Sequence, residues 1–301
     1  MRKKVWAVLL VLVFTGMTAG VAVCGETGHY VPGVEGIKGA SVPPPGFYYK
    51  MYNAFYTADE VTDADGNDLN IDFDVSVYAM VNRFIWVSDY KILGGDYTAD
   101  ILIPLIYTDV EIGAMGLEDD EFGLGDICIE PFVISWHGKS WDAVLGAGFF
   151  IPTGHYDPDE PASPGKDHWG GIFTLGGTYY LDPQKTWSAS ILSRYEIHGE
   201  KDDVDVTPGD NFLFEWGVAK TLNKIWDVGI TGYCAWQITD DEGDDVTWDE
   251  GDHDQAYAIG PEVSVFLPAY KSFLSLRGLM EFEVEDRSEG SIFTLTLTKI
   301  F

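Results

Sequence analysis

Nine ionisable residues fall on the polar sides of segments that alternate polar and apolar residues: Asp72, Asp74, Arg194, Glu196, Glu215, Glu262, Arg277, Glu281 and Glu283. Side chains two apart on a strand share a face, so Arg194 and Glu196, or Glu281 and Glu283, should project the same way. If those faces line a common lumen, the chemistry is selection, because rings of charge in a pore set its ion preference. Acids outnumber bases seven to two in this set, which predicts that an open pore prefers cations or neutral solutes to anions. The competing reading is a structural network in which Arg194, Arg277 and their acidic neighbours fill a narrow barrel.

Covalent chemistry has little footing. His137, His155, His168, His198 and His253 lie in connections or at strand ends, yet no Gly-x-Ser-x-Gly occurs and no Ser/His pair has informative spacing. A nucleophile without a nearby base is weak, so no catalytic residue and no enzymatic activity are expected, and a lipid hydrolase is the weakest reading. Cys24, Cys128 and Cys234 form no disulfide framework, and no Cys/His pattern has zinc-site spacing. No cofactor and no metal site are therefore expected, apart from loosely bound Ca²⁺ or Mg²⁺ on acidic loops. Carboxylate oxygens suit those ions, but Asp63-Ala64-Asp65-Gly66-Asn67-Asp68 matches only the opening of an EF-hand loop. A solvated acidic surface is the plainer reading.

The chain has 301 residues and a net charge of −31, from 18 basic and 49 acidic side chains. Such a balance excludes nucleic acid, whose phosphates require Lys and Arg in excess, and a basic patch for anionic headgroups. With 46% hydrophobic and 14% aromatic residues the chain is not of disordered composition. Residues 1–25 read as a cleaved secretory signal: Arg2, Lys3 and Lys4 precede an apolar run from Val5 to Phe14 and then small residues. Residues 26–46, with Pro43-Pro44-Pro45, form an irregular Gly/Pro-rich lead-in, and 47–301 a single domain.

That domain has period two. From Trp226 to Thr239 one face is Trp226, Val228, Ile230, Gly232, Cys234, Trp236 and Ile238, and the other holds Asp227, Thr231, Tyr233, Gln237 and Thr239. About twelve such strands follow, near 47–57, 71–87, 97–112, 124–136, 141–152, 169–181, 186–198, 211–221, 225–239, 255–267, 272–285 and 291–301. Pro104 and Pro131 interrupt two of them and mark edges or bulges. Four short connections each carry a Lys, whereas those near 58–70, 113–123, 153–168, 199–210 and 240–254 are long and acidic. Strands of this length, aromatics near their ends, two unlike sets of connections and a terminal Phe301 point to an all-β, antiparallel up-and-down transmembrane barrel of about twelve strands. An even count places both termini on the periplasmic side and the acidic loops outside.

The run Gly36-Ile37-Lys38-Gly39-Ala40-Ser41-Val42-Pro43-Pro44-Pro45-Gly46-Phe47-Tyr48-Tyr49 resembles the start of the MetA-pathway of phenol degradation family. So do Gly125-Asp126-Ile127 with Pro131-Phe132 and Trp136, then Pro152-Thr153-Gly154-His155-Tyr156-Asp157-Pro158, Gly209-Asp210, Gly232-Tyr233 with Gln237, and Ala258-Ile259-Gly260-Pro261. The resemblance implies a bacterial outer-membrane barrel, transporter-like, associated with uptake of aromatic or other hydrophobic compounds; it carries over no functional residues. The expected function is passive passage of small hydrophobic or aromatic solutes, with outer-membrane lipid and lipopolysaccharide as partners. A structural or adhesive surface barrel with cation-binding acidic loops is the alternative. The sequence sets no oligomeric state.

Overall fold

The computed structural model describes residues 27–113 and 116–301; the proposed signal segment lies outside them. Among these residues the strands are β1 (Gly46–Val61), β2 (Phe73–Ile92), β3 (Gly95–Ile112), β4 (Leu117–Leu124), β5 (Ile127–His137), β6 (Trp141–Ile151), β7 (Gly170–Tyr180), β8 (Trp187–His198), β9 (Asn211–Leu222), β10 (Trp226–Gln237), β11 (Gln255–Leu267), β12 (Ser272–Glu285) and β13 (Ser288–Ile300). Apart from β4 and β5, each pairs antiparallel with its sequence neighbours, β1 pairs with β13, and β2–β3 pairing closes the ring. β4 and β5 both pair with β3, at Leu105–Ile112 and Asp96–Leu102, so they are the two halves of one wall position and the barrel has twelve. Closure removes the unpaired strand edges that hydrocarbon does not tolerate.

The segment 113–123, expected as a long acidic loop, is corrected: 117–124 is strand β4. Its acids alternate, Glu118 and Asp120 exposed and Asp119 and Glu121 half-buried, as on any strand with water on its outer face. Beyond β3, β4 has no strand partner; the 152–169 connection covers it, with Ala162 N donating to Asp119 Oδ2 at 3.0 Å. The break between β4 and β5 falls beside Pro104, whose carbonyl accepts from Gly125 N, and the β5–β6 register shifts between Ile129 and Phe132, around Pro131.

Phe301 N donates to Phe47 O, so the strand ends nearest both described termini meet at the short-turn end. The other end carries the long connections, except that β3 and β4 are joined there by residues 113–116 and β12 and β13 by Asp286 and Arg287 alone. Aromatic side chains lie on the exterior at two levels. Phe47, Trp86, Trp141, Tyr179, Trp187 and Trp226 are exposed near the short turns. Phe212, Trp236, Tyr257 and Phe282 form a row across β9–β12 towards the other end, with neighbouring centroids 6.1, 5.7 and 6.0 Å apart. Ten residues of β10 separate Trp226 from Trp236; at ~3.3 Å per residue and a ~40° tilt the band is ~25 Å tall, the height expected of an outer-membrane barrel. Between the two levels Val228, Ile230, Leu276 and Leu295 face outward, while Arg194, Glu215, Glu262 and Arg277 are buried inside. No helix among the described residues is long and apolar enough to cross a membrane, which says nothing of crossing by strands.

Candidate functional site

The lumen is occupied by residues 27–45, which run through it without strand pairing. A chain of turns has backbone N–H groups with no ladder to join, and burying them unpaired is costly. The wall supplies acceptors. Glu196 on β8 accepts from His29 N at 2.8 Å and Tyr30 N at 3.2 Å. Glu215 on β9 accepts from Glu35 N at 2.9 Å, Gly36 N at 3.3 Å and the Tyr30 hydroxyl. Glu262 on β11 accepts from Ile37 N at 2.9 Å. The bonds serve both sides, since the amides stabilise carboxylates that are only 1%, 2% and 4% exposed. Gly36 turns with φ +69°, and a Cβ there would overlap the Arg277 guanidinium and the Glu262 carboxylate. Wall glycines also make room: a Cβ at Gly217 or Gly176 would press on Ile37 or Ala40.

The segment's own acid, Glu35, meets cations instead. Lys50 of β1 lies 2.5 Å away, Arg83 of β2 2.7 Å, and Arg194 of β8 3.9 Å. Arg83 also binds Asp100 at 2.8 Å and Glu130 at 2.6 Å, and Arg194 reaches Glu130 at 3.3 Å. Burial alone would raise the Glu35 pKa; the charges of Lys50, Arg83 and Arg194 outweigh it and hold the carboxyl well below the usual carboxylate range. Lower down, Lys38 Nζ binds Asp227 at 2.8 Å and Ser41 Oγ donates to Asp142 at 2.9 Å.

Six of the nine sequence candidates are therefore buried in the interior: Arg194, Glu196, Glu215, Glu262, Arg277 and Glu281. Arg277 pairs with Glu262 at 2.8 Å and donates to Gly33 O. Glu281 accepts from Tyr56 at 3.1 Å, Gly290 N at 2.8 Å and the Tyr233 hydroxyl. The other three are not lumen-lining. Asp72 and Asp74 are exposed at the outer end of β2, where Phe73 and Val75 pack inward instead. Above the apolar band the outer surface meets water, so the polar face turns outward. Glu283 is exposed because β12 bulges: Gln255 and Tyr257 oppose Glu285 and Phe282, and the extra residue, with Glu283 at φ +49°, places Val284 inside.

Sequence reading missed Glu35, Lys50, Arg83, Asp100 and Glu130, the centre of the ionic network. Lys50 and Arg83 were visible as single cations in aromatic and apolar strand runs. Glu130 adjoins Pro131, whose bulge hides the face it occupies.

The seated segment divides the free space. Towards the short-turn end lies a cavity of about 830 Å³, lined by Val42, Pro43, Ile85, Val133, Val144 and Leu192 and by the ionic network. A smaller one of about 180 Å³ lies on the other side, against Tyr30, Val31, Val77, Leu213, Tyr233 and Ile292. Cys128 and Cys234 are free thiols.

A closed antiparallel barrel with an apolar exterior bearing aromatics at two levels and a charged interior defines an outer-membrane β-barrel. The chain belongs to the family described as putative MetA-pathway of phenol degradation, whose model matches residues 58–297, as its motifs led us to expect. Among solved structures it is similar to an outer membrane channel from Pseudomonas putida F1, with TM-score 0.78 and 15% identity over 90% of this chain and 100% of that one. It is more distantly similar to the translocator domain of autotransporter NalP from Neisseria meningitidis (TM-score 0.51, 9% identity, 87% of this chain and 91% of that one). The β domain of the Bordetella autotransporter BrkA gives TM-score 0.50 and 13% identity over 86% of this chain and 100% of that one. No curated protein matches the chain.

Proposed function

We propose that this protein is an outer-membrane channel through which small hydrophobic or aromatic compounds pass by diffusion, without covalent chemistry. The observation that carries this reading is the 830 Å³ cavity beside the seated segment. Its volume lies within the ~300–1,000 Å³ of small-molecule sites, and Val42, Pro43, Ile85, Val133, Val144 and Leu192 give it an apolar lining. A hydrated ion gains little there, because the nearest charges are already paired with one another. Family membership supports the same reading. Secretion through the N-terminal signal, insertion among outer-membrane lipid and lipopolysaccharide, and weak Ca²⁺ or Mg²⁺ binding by the outer acidic loops belong to this proposal.

The test is uptake into liposomes carrying the refolded full chain. A monoaromatic hydrocarbon should enter a trapped organic sink faster than into protein-free vesicles, and a hydrophilic sugar of similar size should not. Equal rates for the hydrocarbon with and without protein would favour the structural or adhesive alternative.

A further inference from the structure

Three histidines distant in sequence meet at the start of the lumen segment. His29 belongs to that segment, His168 to the β6–β7 connection, and His198 ends β8. One ring nitrogen of each lies within 4.8 Å of those of the other two. Ring centroids are 4.4 Å apart for His29 and His168, 5.1 Å for His168 and His198, and 5.9 Å for His29 and His198. The side chains of His29 and His198 are 2% and 0% exposed, and His168 is 1% exposed. His29 Nε2, His168 Nε2 and His198 Nδ1 are buried and have no hydrogen-bond partner. Three buried imidazole nitrogens without a hydrogen bond, with Asp126 3.3 Å from His29 Nε2 and Glu196 3.9 Å from His198 Nδ1, call for a common cationic partner.

We propose that His29, His168 and His198 bind a divalent first-row transition ion, Zn²⁺ or a close relative, that staples the lumen segment to the barrel wall. The donor set suits these ions: imidazole nitrogen favours Zn²⁺, Ni²⁺, Cu²⁺ and Co²⁺, whereas Ca²⁺ and Mg²⁺ need oxygen. A water completes the tetrahedron, and Asp126 stands beside the three histidines, accepting from Lys166 N at 2.9 Å. Its Oδ2 lies 3.3 Å from His29 Nε2 without hydrogen-bond geometry. The other ring nitrogens have outer partners, as metal-bound histidines usually do. His29 Nδ1 faces Glu196 Oε1 at 3.0 Å and His168 Nδ1 faces Trp169 O at 3.3 Å; His198 Nε2 lies 3.3 Å from the Asn211 side-chain amide, which accepts from Nε2–H when it is turned to present its oxygen. Asp126 and Glu196 supply the negative charge that a divalent ion neutralises. Gly170 lets the His29 ring lie against the wall: a Cβ there would stand 3.1 Å from its Nδ1.

The rival arrangement has no ion, with His29 as an imidazolium between Asp126 and Glu196. The experiment uses the untagged full chain, refolded in detergent, with Co²⁺ and Zn²⁺ as probes. The expected result is one Co²⁺ per chain with the visible absorption of a four-coordinate site, displaced by Zn²⁺. His168→Asn and His198→Asn should each abolish that spectrum while heat-modifiable migration shows an intact barrel. Asn211→Ala, which keeps every ligand, should weaken binding ~10–100-fold. Should either histidine variant fail to fold, the wild-type spectrum and the Asn211 variant decide alone. Absence of stoichiometric binding by the full chain overturns the proposal. So does a six-coordinate oxygen-type spectrum unchanged by the substitutions, which places the ion on the acidic loops.

Discussion

The two sides of the lumen wall hold the same segment in opposite ways. On the β8–β11 side, Glu196, Glu215 and Glu262 accept from the backbone amides of His29, Tyr30, Glu35, Gly36 and Ile37. On the β1–β2 side, Lys50 and Arg83 grip one side-chain carboxylate, that of Glu35. The first contact set recognises peptide units and tolerates many sequences; the second recognises a particular residue at a particular height. The amide ladder thus gives the segment its path through the barrel, and the ionic cluster fixes its register. The two should fail differently.

The largest effect is expected in the ionic cluster. Arg83→Met leaves Glu35, Asp100 and Glu130 buried without their shared cation. Breaking a buried network by removing one partner costs ~3–5 kcal/mol. Urea unfolding of the refolded barrel should show a loss of that size; a loss no larger than for an acceptor substitution would erase the distinction between the two sides. On the amide side, Glu215→Gln keeps the shape but removes the charge that strengthens its bonds. It should cost ~1–3 kcal/mol, seen chiefly as easier proteolysis of residues 27–45 within an intact barrel.

Acid offers a gentler probe. The folded Glu35 carboxyl titrates well below its ordinary value of 4.5. Its contribution is therefore complete above that pH and is lost only as pH falls through the much lower folded value. Acidification from pH 7 to 4.5 should thus not raise bilayer conductance through loss of the Glu35 clamp. In Glu35→Gln, which keeps Glu215 and Tyr30 and leaves Arg83 on Asp100 and Glu130 but removes the segment's charge from Lys50 and Arg83, the segment should be loose at pH 7 already. The smallest effect is expected outside the lumen: Asp72→Asn with Asp74→Asn should leave unfolding and conductance unchanged, and a clear change in either would return those residues to the pore.

Closed meander topology and its two unlike ends were legible because alternation and connection length are local signals. Glu196, Glu215, Glu262, Arg194, Arg277 and Glu281 were legible as inward because each sits within the membrane band, where polar means interior. The same rule misplaced Asp72 and Asp74, since beyond the band water lies on the outer face and the polar side reverses. Glu283 was lost to one bulged residue, and 117–124 to its acidity, which masked a period-two pattern. The role of the segment could not be read at all. Its backbone partners are wall residues about 150–240 positions away, although Lys50 and Arg83 stand only 15 and 48 positions from Glu35, and a Gly/Pro-rich stretch shows no periodicity to announce them. The His29, His168 and His198 cluster was hidden for the same reason.

The central claim is that residues 27–45 close the lumen to hydrophilic solutes because the wall is built to bind them. Single-channel conductance in planar bilayers, comparing the full chain with one lacking residues 27–45, tests it most directly. The account predicts a nearly closed full chain and a truncated chain with a wide, steady, cation-preferring conductance. Equal conductance from the two chains would contradict it.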